Sequence, residues 1–217
     1  MMKLKTTLML AGLLLFVLGL LAYAVARDPV SSRTVKYAYQ DLFLAHEPVD
    51  LMLGSSSIEM LDTPVYLNCG DWLNRGIGNS RVSDINNYLA LTFLPIKPPR
   101  ILLYAGENDL SGGMSLDDTF AAYQRLVERL LQRYPDSEIH VLALKRSPAR
   151  RGYWRQFEEL NRVLQAFSGE SERVHFHSHN LESKGGGAPD FLKDGIHLTD
   201  AGYRSFTQEF NRTCRPG

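Results

Sequence analysis

From residue 34 onward, short apolar runs alternate with longer segments in which apolar residues recur every three or four positions. Short apolar runs are typical of buried strands, whereas the three-and-four spacing indicates amphipathic helices. The pattern predicts strands at residues 49–53, 101–104, 138–144 and 173–176, and one weak strand at either 64–67 or 72–74. It predicts helices at residues 37–45, 84–93, 117–134, 153–167 and 200–212, and a glycine-rich loop at 185–187.

The alternation of strands and helices predicts the fold class. Parallel strands need long crossover connections, and helical crossovers are right-handed and cover both faces of the sheet. We therefore expect an α/β fold, a three-layer αβα sandwich whose central parallel sheet has about five strands. Ligands of such sheets bind outside the carboxyl ends of the strands. Candidate functional residues should accordingly follow the predicted strands directly.

The first 30 residues differ from the rest of the chain. Residues 6–26 carry no charge, follow Lys3 and Lys5, and precede Arg27. A helix of this length is roughly 31 Å long, about the thickness of the hydrocarbon core of a bilayer. We expect residues 1–30 to contain a hydrophobic N-terminal helix that anchors the protein in a membrane, and residues 31–217 to form one globular domain. A cleaved signal segment is the alternative, because small residues near its end offer a cleavage pattern.

The charges that flank this segment predict where the domain lies. Both lysines precede the apolar stretch, which favours a non-cytoplasmic domain, in a bacterial periplasm or outside the cell. Cleavage of the segment would make the domain a secreted protein. In an oxidising compartment Cys69 and Cys214 could pair, although two cysteines alone do not establish a disulfide. The chain has 24 basic and 24 acidic residues, and this balance does not indicate nucleic-acid binding.

Two candidate segments follow the first strands. Residues 54–57, Gly-Ser-Ser-Ser, come after a buried strand and before helical residues. A serine at such a turn is exposed and close to backbone N–H donors, as a nucleophile must be, although an ordinary helix N-cap is the alternative. Residues 74–80, Asn-Arg-Gly-Ile-Gly-Asn-Ser, contain glycines that let backbone amides approach a ligand, although a plain turn would look the same.

Two further segments carry an amide and a histidine. Residues 106–109, Gly-Glu-Asn-Asp, follow the strand at 101–104, and Asn108 could direct its side-chain amide at a developing oxyanion. In residues 194–197, Asp-Gly-Ile-His, Asp194 can accept a hydrogen bond from Nδ1 of His197. This would leave Nε2 free to take a proton from a serine. Turn formation or helix capping would explain either segment alone.

Taken together, the four segments resemble the four sequence blocks of the SGNH hydrolases, also called GDSL esterases and lipases. Gly-Glu-Asn-Asp and Asp-Gly-Ile-His match the third and fourth blocks in full, and the resemblance extends from about residue 49 to residue 205. It implies Ser56 as the nucleophile and His197 as the general base and acid, oriented by Asp194. It also implies an oxyanion hole formed by Asn108 and backbone N–H groups.

Two positions depart from the pattern of that family. Ser55 replaces the aspartate that precedes the nucleophile in many relatives, and Ser55 and Ser57 are themselves hydroxyls next to Ser56. Asn79 aligns with the glycine whose backbone N–H belongs to the oxyanion hole, so either Asn79 or Gly78 is expected to donate there. Asparagine tolerates a positive φ better than most residues do.

The resemblance implies a serine carboxylester hydrolase that needs no cofactor and no metal. We expect short acyl esters as substrates, such as acetyl esters of glycans or small molecules, because the chain has no long insertion to build an acyl-chain tunnel. A lysophospholipase or thioesterase acting on a lipid ester, or a glycan O-acyltransferase, would use the same triad. A catalytically inactive binding module with the SGNH fold is the alternative of another class.

Two further groups of residues invite a functional interpretation. His175, His177 and His179 alternate, but no second group of ligands accompanies them at a suitable spacing. We therefore interpret them as facing solvent or a loop rather than a metal. A basic loop follows the strand at 138–144 and contains four cations, Lys145, Arg146, Arg150 and Arg151. We interpret it as solvated, and contact with an anionic substrate or a lipid headgroup is the alternative.

Overall fold

A five-stranded parallel sheet forms the centre of the protein. The computed structural model describes residues 2–44, 49–181 and 189–214; the side chains of residues 2–13 and 21, and the loop expected at 185–187, lie outside this description. The strands follow the order β2-β1-β3-β4-β5. They are β1 (Asp50–Gly54), β2 (Trp72–Gly76), β3 (Arg100–Tyr104), β4 (Glu138–Leu142) and β5 (Val174–His177). The predicted fold class is therefore confirmed.

Helices cover both faces of the sheet. They are α1 (Met2–Arg27), α2 (Pro29–Asp41), α3 (Ser56–Glu59), α4 (Thr63–Tyr66), α5 (Val82–Leu91), α6 (Glu107–Ser111), α7 (Leu116–Arg133), a 3-10 helix (Pro148–Tyr153), α8 (Trp154–Ser168) and α9 (Asp200–Thr213). Leu51 and Leu53 of β1 pack in one core with α5, α7 and α8, whereas Met52 packs in a second core with α9. Because successive strand residues point to opposite faces, burial on both faces explains the nearly continuous apolar strands.

The strand order also locates a crevice. β1 pairs with β2 on one side and with β3 on the other, so the direction of chain progression reverses at β1. Ligands bind at this kind of reversal, outside the carboxyl ends of the strands. The loops after β1, β2 and β3, which contain three of the four candidate segments, meet there.

Helix α9 is fixed at its end by the two cysteines of the chain. Cys69, in the loop before β2, and Cys214, directly after α9, form a disulfide with Cα atoms 5.8 Å apart. Phe206 and Phe210 of α9 are fully buried against the sheet. Since the loop before α9 contains His197, this packing helps to determine where that histidine lies.

The structure corrects the bounds of two predicted elements and decides between the two positions of the weak strand. The strand predicted at 138–144 is β4, which ends at Leu142. The helix expected at residues 37–45 is α2, which begins at Pro29 and ends at Asp41, while residue 45 lies outside the described residues. The Asp28 carboxylate accepts a hydrogen bond from the Ser31 N–H (2.8 Å), and proline suits the first helical position because an N–H would have no partner there. Of the two positions considered for the weak strand, 72–74 is correct, and the other forms the short helix α4.

The apolar N-terminal segment is helical. Helix α1 covers the predicted stretch, and Leu14, Leu15 and Phe16 are more than half exposed. Among the residues whose side chains the structure describes, no single helix is long and apolar enough to cross a membrane. The part of α1 from Leu14 to Arg27 reaches that length and composition only together with α2, from which it is bent by 105°. Anchoring and the domain boundary at residue 30 stay predictions.

Candidate active site

Ser56 lies at the turn between β1 and α3. Gly54 ends β1 so close to the carbonyl of Tyr104 on β3 that any side chain at position 54 would collide with it. Ser55 and Ser57 are buried, with 3% and 2% of their surface exposed, whereas Ser56 lines a surface cavity. Of the three adjacent hydroxyls, Ser56 is therefore the one that a ligand in this cavity can reach.

His197 and Asp194 lie in the loop before α9 and extend to Ser56. Nε2 of His197 is 3.1 Å from Oγ of Ser56, and Nδ1 is 2.6 Å from Oδ2 of Asp194. The contact with the carboxylate favours the tautomer in which Nδ1 carries the proton, so that Nε2 can accept one from the serine. The fold thus brings together a hydroxyl and an imidazole that are 141 residues apart in the chain.

The carboxylate of Asp194 is held ionised by its hydrogen bonds. Its Oδ1 accepts the backbone N–H groups of Ile196 (2.9 Å) and His197 (3.0 Å). Partial burial acts to raise the pKa of Asp194, but these hydrogen bonds and the contact with the imidazole outweigh it and lower the pKa to about 2. Gly195 permits this turn, because its φ of +66° favours glycine. Asp194 can therefore orient His197 and balance the charge that the ring gains.

Gly78 and Asn79 follow β2, and both line the cavity in front of Ser56. Asn79 has a φ of +63°, the one positive φ of a non-glycine residue among those the structure describes. This is the backbone conformation for which glycine would be the usual choice. Gly78 lies against Glu59, and a Cβ at position 78 would come within 2.5 Å of the Glu59 Oε2. Both residues line the cavity and have a backbone N–H, and the choice between them as oxyanion donor stays a prediction.

Asn108 lies in α6, directly after β3, and lines the same cavity as Ser56. Its Nδ2 donates a hydrogen bond to the carbonyl of Ser80 (2.9 Å), and its Oδ1 accepts one from Nη2 of Arg150 (2.7 Å). One N–H of the side-chain amide is therefore occupied by Ser80. The second N–H remains available for an oxyanion.

The cavity that joins these groups has a volume of about 420 Å³. It is lined by Pro29, Arg33, Ser56, Glu59, Gly78, Asn79, Asn108, Arg150, Ile196 and His197. Pro29 and Arg33 belong to α2, so the segment directly after the apolar helix forms part of the wall. Arg33 is ion-paired with Glu59. A larger cavity of about 710 Å³ lies beside α8, and none of the predicted site residues lines it.

Sequence reasoning missed a buried cluster behind Asn108, formed by Glu107, Lys145, Ser147 and Arg150, which we call the ionic cluster. The Lys145 ammonium contacts Oε2 of Glu107, and the two side chains are 1% and 2% exposed. Oε1 of Glu107 accepts the Ser147 hydroxyl (2.6 Å) and lies 3.2 Å from Nη1 of Arg150. The interpretation of the basic loop as solvated is therefore wrong for Lys145 and Arg150. One feature of the sequence does suggest that Lys145 is buried. It follows directly after an unbroken apolar run, residues 141–144, that begins in β4.

The alternating histidines also differ from their interpretation. His175 and His177 of β5 lie beside His140 of β4, and we call these three the histidine cluster. Nδ1 of His140 is 2.9 Å from Nε2 of His177, and the ring centroids of His140 and His175 are 5.0 Å apart. His177 is 4% exposed and packs on Phe210, so the expectation that it faces solvent is wrong, because α9 covers this face of β5. Within the described residues, no group of three His, Cys, Asp or Glu side chains could hold a metal.

Comparison with known proteins connects this geometry to a family. A model of the GDSL-like Lipase/Acylhydrolase family matches residues 58–205, a range that contains Asn108, Asp194 and His197 and begins two residues after Ser56. No curated protein sequence matches the chain significantly.

Many solved structures are similar to this protein, and three of them illustrate the range. A Streptococcus pneumonia protein named for platelet activating factor has a TM-score of 0.74 at 18% identity, over 91% of this chain and 98% of its own. A GDSL-like lipase from Bacteroides thetaiotaomicron has a TM-score of 0.69 at 18% identity, over 83% and 96%. A family 3 carbohydrate esterase from Clostridium thermocellum has a TM-score of 0.53 at 18% identity, over 77% and 98%. At such identities the similarity concerns the fold.

Proposed function

Because the chain belongs to the GDSL-like lipase/acylhydrolase family, we propose that it is a serine esterase in which Ser56, His197 and Asp194 form the catalytic triad. The observation that carries the proposal is the series of contacts from the serine Oγ to the imidazole (3.1 Å) and from the imidazole to the carboxylate (2.6 Å). Asn108 lines the same cavity. A nucleophile, a base, an orienting carboxylate and an amide donor in one place are what acyl transfer requires.

The reaction proceeds in two steps. In the first, Nε2 of His197 removes the proton from Oγ of Ser56 as Oγ bonds to the carbonyl carbon of the ester. The oxyanion accepts hydrogen bonds from Asn108 and from backbone N–H groups, the ester C–O bond breaks, and the imidazolium gives its proton to the leaving alcohol. In the second, His197 deprotonates a water that attacks the acyl-serine, and the acid leaves as the Ser56 hydroxyl is restored.

We propose short acyl esters of glycans or other polar molecules as substrates. The cavity measures about 420 Å³, and apart from Pro29, Ile196 and Gly78 its lining side chains are polar or charged. Such a lining suits a small acyl group and a polar alcohol, because a long acyl chain would need an extended apolar surface. The structural similarity to a family 3 carbohydrate esterase agrees with this choice.

We further propose that residues 6–26 hold the domain at the non-cytoplasmic side of a membrane. The apolar side chains of α1 described here are exposed, two lysines precede the apolar stretch, and a disulfide joins Cys69 to Cys214. Structural disulfides are typical of oxidising compartments. A C-terminal fusion to alkaline phosphatase, which folds only after export, should be active. An inactive fusion whose counterpart with a cytoplasmic fluorescent reporter is bright would contradict the location.

Fluorophosphonate labelling tests the nucleophile. The Ser56→Ala variant should lose labelling, and its hydrolysis of p-nitrophenyl acetate should fall by several orders of magnitude, because the hydroxyl next to the His197 imidazole is removed. Ser57→Ala is the matched control and should still be labelled. Labelling of folded Ser56→Ala would remove Ser56 from the mechanism, and a folded wild-type protein that is not labelled would indicate a binding module.

A series of p-nitrophenyl esters tests the substrate class. We expect kcat/KM to be highest for acetate and to fall as the acyl chain lengthens towards palmitate, because a cavity of about 420 Å³ has no room for a long acyl chain. An optimum at a long acyl chain would contradict the proposal for short acyl groups and leave the triad unaffected.

A further inference from the structure

A connected set of charged groups leads from the protein core to Asn108. Glu107 and Lys145 form a buried ion pair, and Nη1 of Arg150 lies 3.2 Å from the Glu107 carboxylate. The other terminal nitrogen of the guanidinium, Nη2, donates a hydrogen bond to Oδ1 of Asn108 (2.7 Å). Arg150 also lines the cavity in front of Ser56, where its side chain is 18% exposed.

We propose that Arg150 is a positioning residue for the oxyanion hole: it holds the Asn108 amide with its N–H2 group directed at the reacting carbonyl and adds a fixed positive charge beside it. The proposal rests on the proposed esterase function. The sequence motifs gave Arg150 no role at the oxyanion hole, and they contain Glu107 only as a member of the Gly-Glu-Asn-Asp segment.

The first argument concerns the orientation of the amide. A guanidinium has only hydrogen-bond donors, and a backbone carbonyl has only acceptors. Asn108 lies between the two, with Oδ1 on Arg150 and Nδ2 on the carbonyl of Ser80. A flipped amide would place its N–H2 group against the guanidinium and its oxygen against the carbonyl, and both contacts would be repulsive. The surroundings therefore select one of the two orientations, and in that orientation the second N–H of Nδ2 is free to donate.

The second argument concerns charge. The charges of Glu107 and Lys145 cancel, as do those of Arg33 and Glu59 in the cavity wall. Glu107 carries one negative charge between its two cationic neighbours, Lys145 and Arg150, so one positive charge is left over. Among the described side chains that line the cavity or contact the triad, the charges that remain are therefore the Arg150 cation and the Asp194 anion.

These two remaining charges match the ones that develop during the reaction. Asp194 contacts the imidazole that becomes positive, and Arg150 contacts the amide that faces the oxyanion. Charges that are already in place when the transition state forms lower its energy without further reorganisation.

The third argument is that Arg150 is itself held firmly. The backbone N–H of Ala149 donates to the carbonyl of Gly195 (3.0 Å), which joins the Arg150 segment to the loop of Asp194 and His197. Burial acts to raise the pKa of Glu107, but the charges of Lys145 and Arg150 outweigh it and lower that pKa, so the carboxylate that receives the guanidinium stays ionised.

Steady-state kinetics of the full-length protein with p-nitrophenyl acetate tests the proposal. Arg150→Gln should lower kcat about 10- to 100-fold with little change in KM, because its contribution is made in the transition state. Arg150→Lys should recover part of this loss, since it restores the charge but not the forked pair of hydrogen bonds. The control is Arg151→Gln, at an exposed neighbour, which should behave as wild type.

A second readout separates positioning from folding and from substrate binding. A trifluoromethyl ketone that forms a tetrahedral adduct with serine should bind Arg150→Gln more weakly by the same factor as kcat falls, while an unreactive amide analogue binds equally well. In Asn108→Ala, adding Arg150→Gln should lower kcat by a smaller factor than in wild type, about threefold or less, because the amide that Arg150 positions is absent and only the effect of its charge remains.

Three results would overturn the proposal: an unchanged kcat in folded Arg150→Gln, a loss confined to KM, or fully additive effects of the two substitutions. If Arg150→Gln does not fold, the same comparison is made with Arg150→Lys, where a wild-type kcat and ketone affinity would also overturn it. If the protein is not an esterase at all, the wild-type protein itself would neither hydrolyse the ester nor react with fluorophosphonate. This result is distinguishable from the three above, in which the wild type is active.

Discussion

The ionic cluster and the pair of His140 and His177 in the histidine cluster are both sets of buried titratable groups beside the sheet, yet they differ in charge. In the ionic cluster, the Lys145 ammonium contacts the Glu107 carboxylate, whose pKa is lowered by its cationic neighbours although burial acts to raise it. In the histidine cluster, the rings of His140 and His177 contact each other and Phe210. Burial lowers the pKa of His140 to about 3 and that of His177 to about 4, so both are neutral at pH 7.

The comparison shows what decides whether a buried group keeps its charge. The ionic cluster contains a buried counter-ion in contact with its cation, which compensates the cost of burial. In the histidine cluster, the carboxylate of Glu138 lies 3.6 Å from Nε2 of His140 but is 55% exposed, so water screens its charge. The locations differ accordingly. The ionic cluster borders the cavity of Ser56 through Arg150, whereas no residue of the histidine cluster lines that cavity. The cluster that keeps its charges is therefore the one next to the candidate active site.

Breaking the ion pair should have the largest effect on stability. In Glu107→Gln, the amide cannot balance Lys145, which would remain buried without a counter-ion. We expect the free energy of unfolding at pH 7 to fall by about 3–5 kcal/mol, measured by urea denaturation of the full-length protein in detergent.

Two controls sharpen this prediction. Glu158→Gln breaks the exposed pair between Arg146 and Glu158 and should cost at most about 1 kcal/mol. Replacing both members of the buried pair, as Glu107→Leu with Lys145→Met, should recover much of the loss, because no unpaired buried ammonium remains. A single variant as stable as wild type would mean that the pair does not retain its charge in the folded protein.

Asp109 should show what happens to a buried carboxylate that relies on a backbone hydrogen bond. It accepts the Val82 N–H (3.1 Å), and burial raises its pKa from 3.8 to about 6. The folded state therefore binds the proton more tightly, and the resulting stabilisation is present below about pH 4 and lost as the pH rises to 6. Relative to Asp109→Asn, wild type should lose roughly 2.5 kcal/mol of unfolding free energy between pH 4 and pH 7. If the unfolding free energies of the two proteins changed equally between pH 4 and pH 7, the pKa of Asp109 would not be raised in the folded state.

The histidine cluster should give a smaller effect of the opposite sign. Since burial lowers the pKa of His140 from 6.5 to about 3, the unfolded chain takes up a proton that the folded protein does not. Stability is therefore retained above pH 6.5 and lost as the pH falls below it, by roughly 2 kcal/mol at pH 5 for this residue. His140→Gln should weaken the pH dependence between 7 and 5, measured by urea denaturation at both values. Arg151→Gln, which leaves the cluster intact, should retain the wild-type dependence.

The sequence was sufficient to predict the parts that depend on local pattern and strand ends. The parallel sheet followed from the alternation of apolar runs and helices. The meeting of Ser56, Asn108 and His197 followed from the rule that loops at the carboxyl ends of parallel strands come together. The start of α2 could also have been found, because aspartate followed by proline, at residues 28 and 29, is a strong helix-start signal.

The ionic cluster could not be predicted in the same way. A lysine after a strand is usually solvated, and its burial at position 145 depends on Glu107, a residue 38 positions away. The same holds for His177, which is buried because α9 folds back over β5. Pairing across such distances depends on tertiary packing rather than on the spacing of residues within one segment.

The position of α2 limits how the cavity can move. A single residue, Asp28, separates α1 from α2, and Pro29 and Arg33 of α2 line the cavity in front of Ser56. At its other end, the Asp41 carboxylate accepts hydrogen bonds from Arg75 (2.7 Å) and Tyr88, which join α2 to the globular body. Within the described residues, one residue thus separates the apolar helix from a helix of the cavity wall. A surface that held the first helix would therefore also set the height at which a ligand has to reach Ser56.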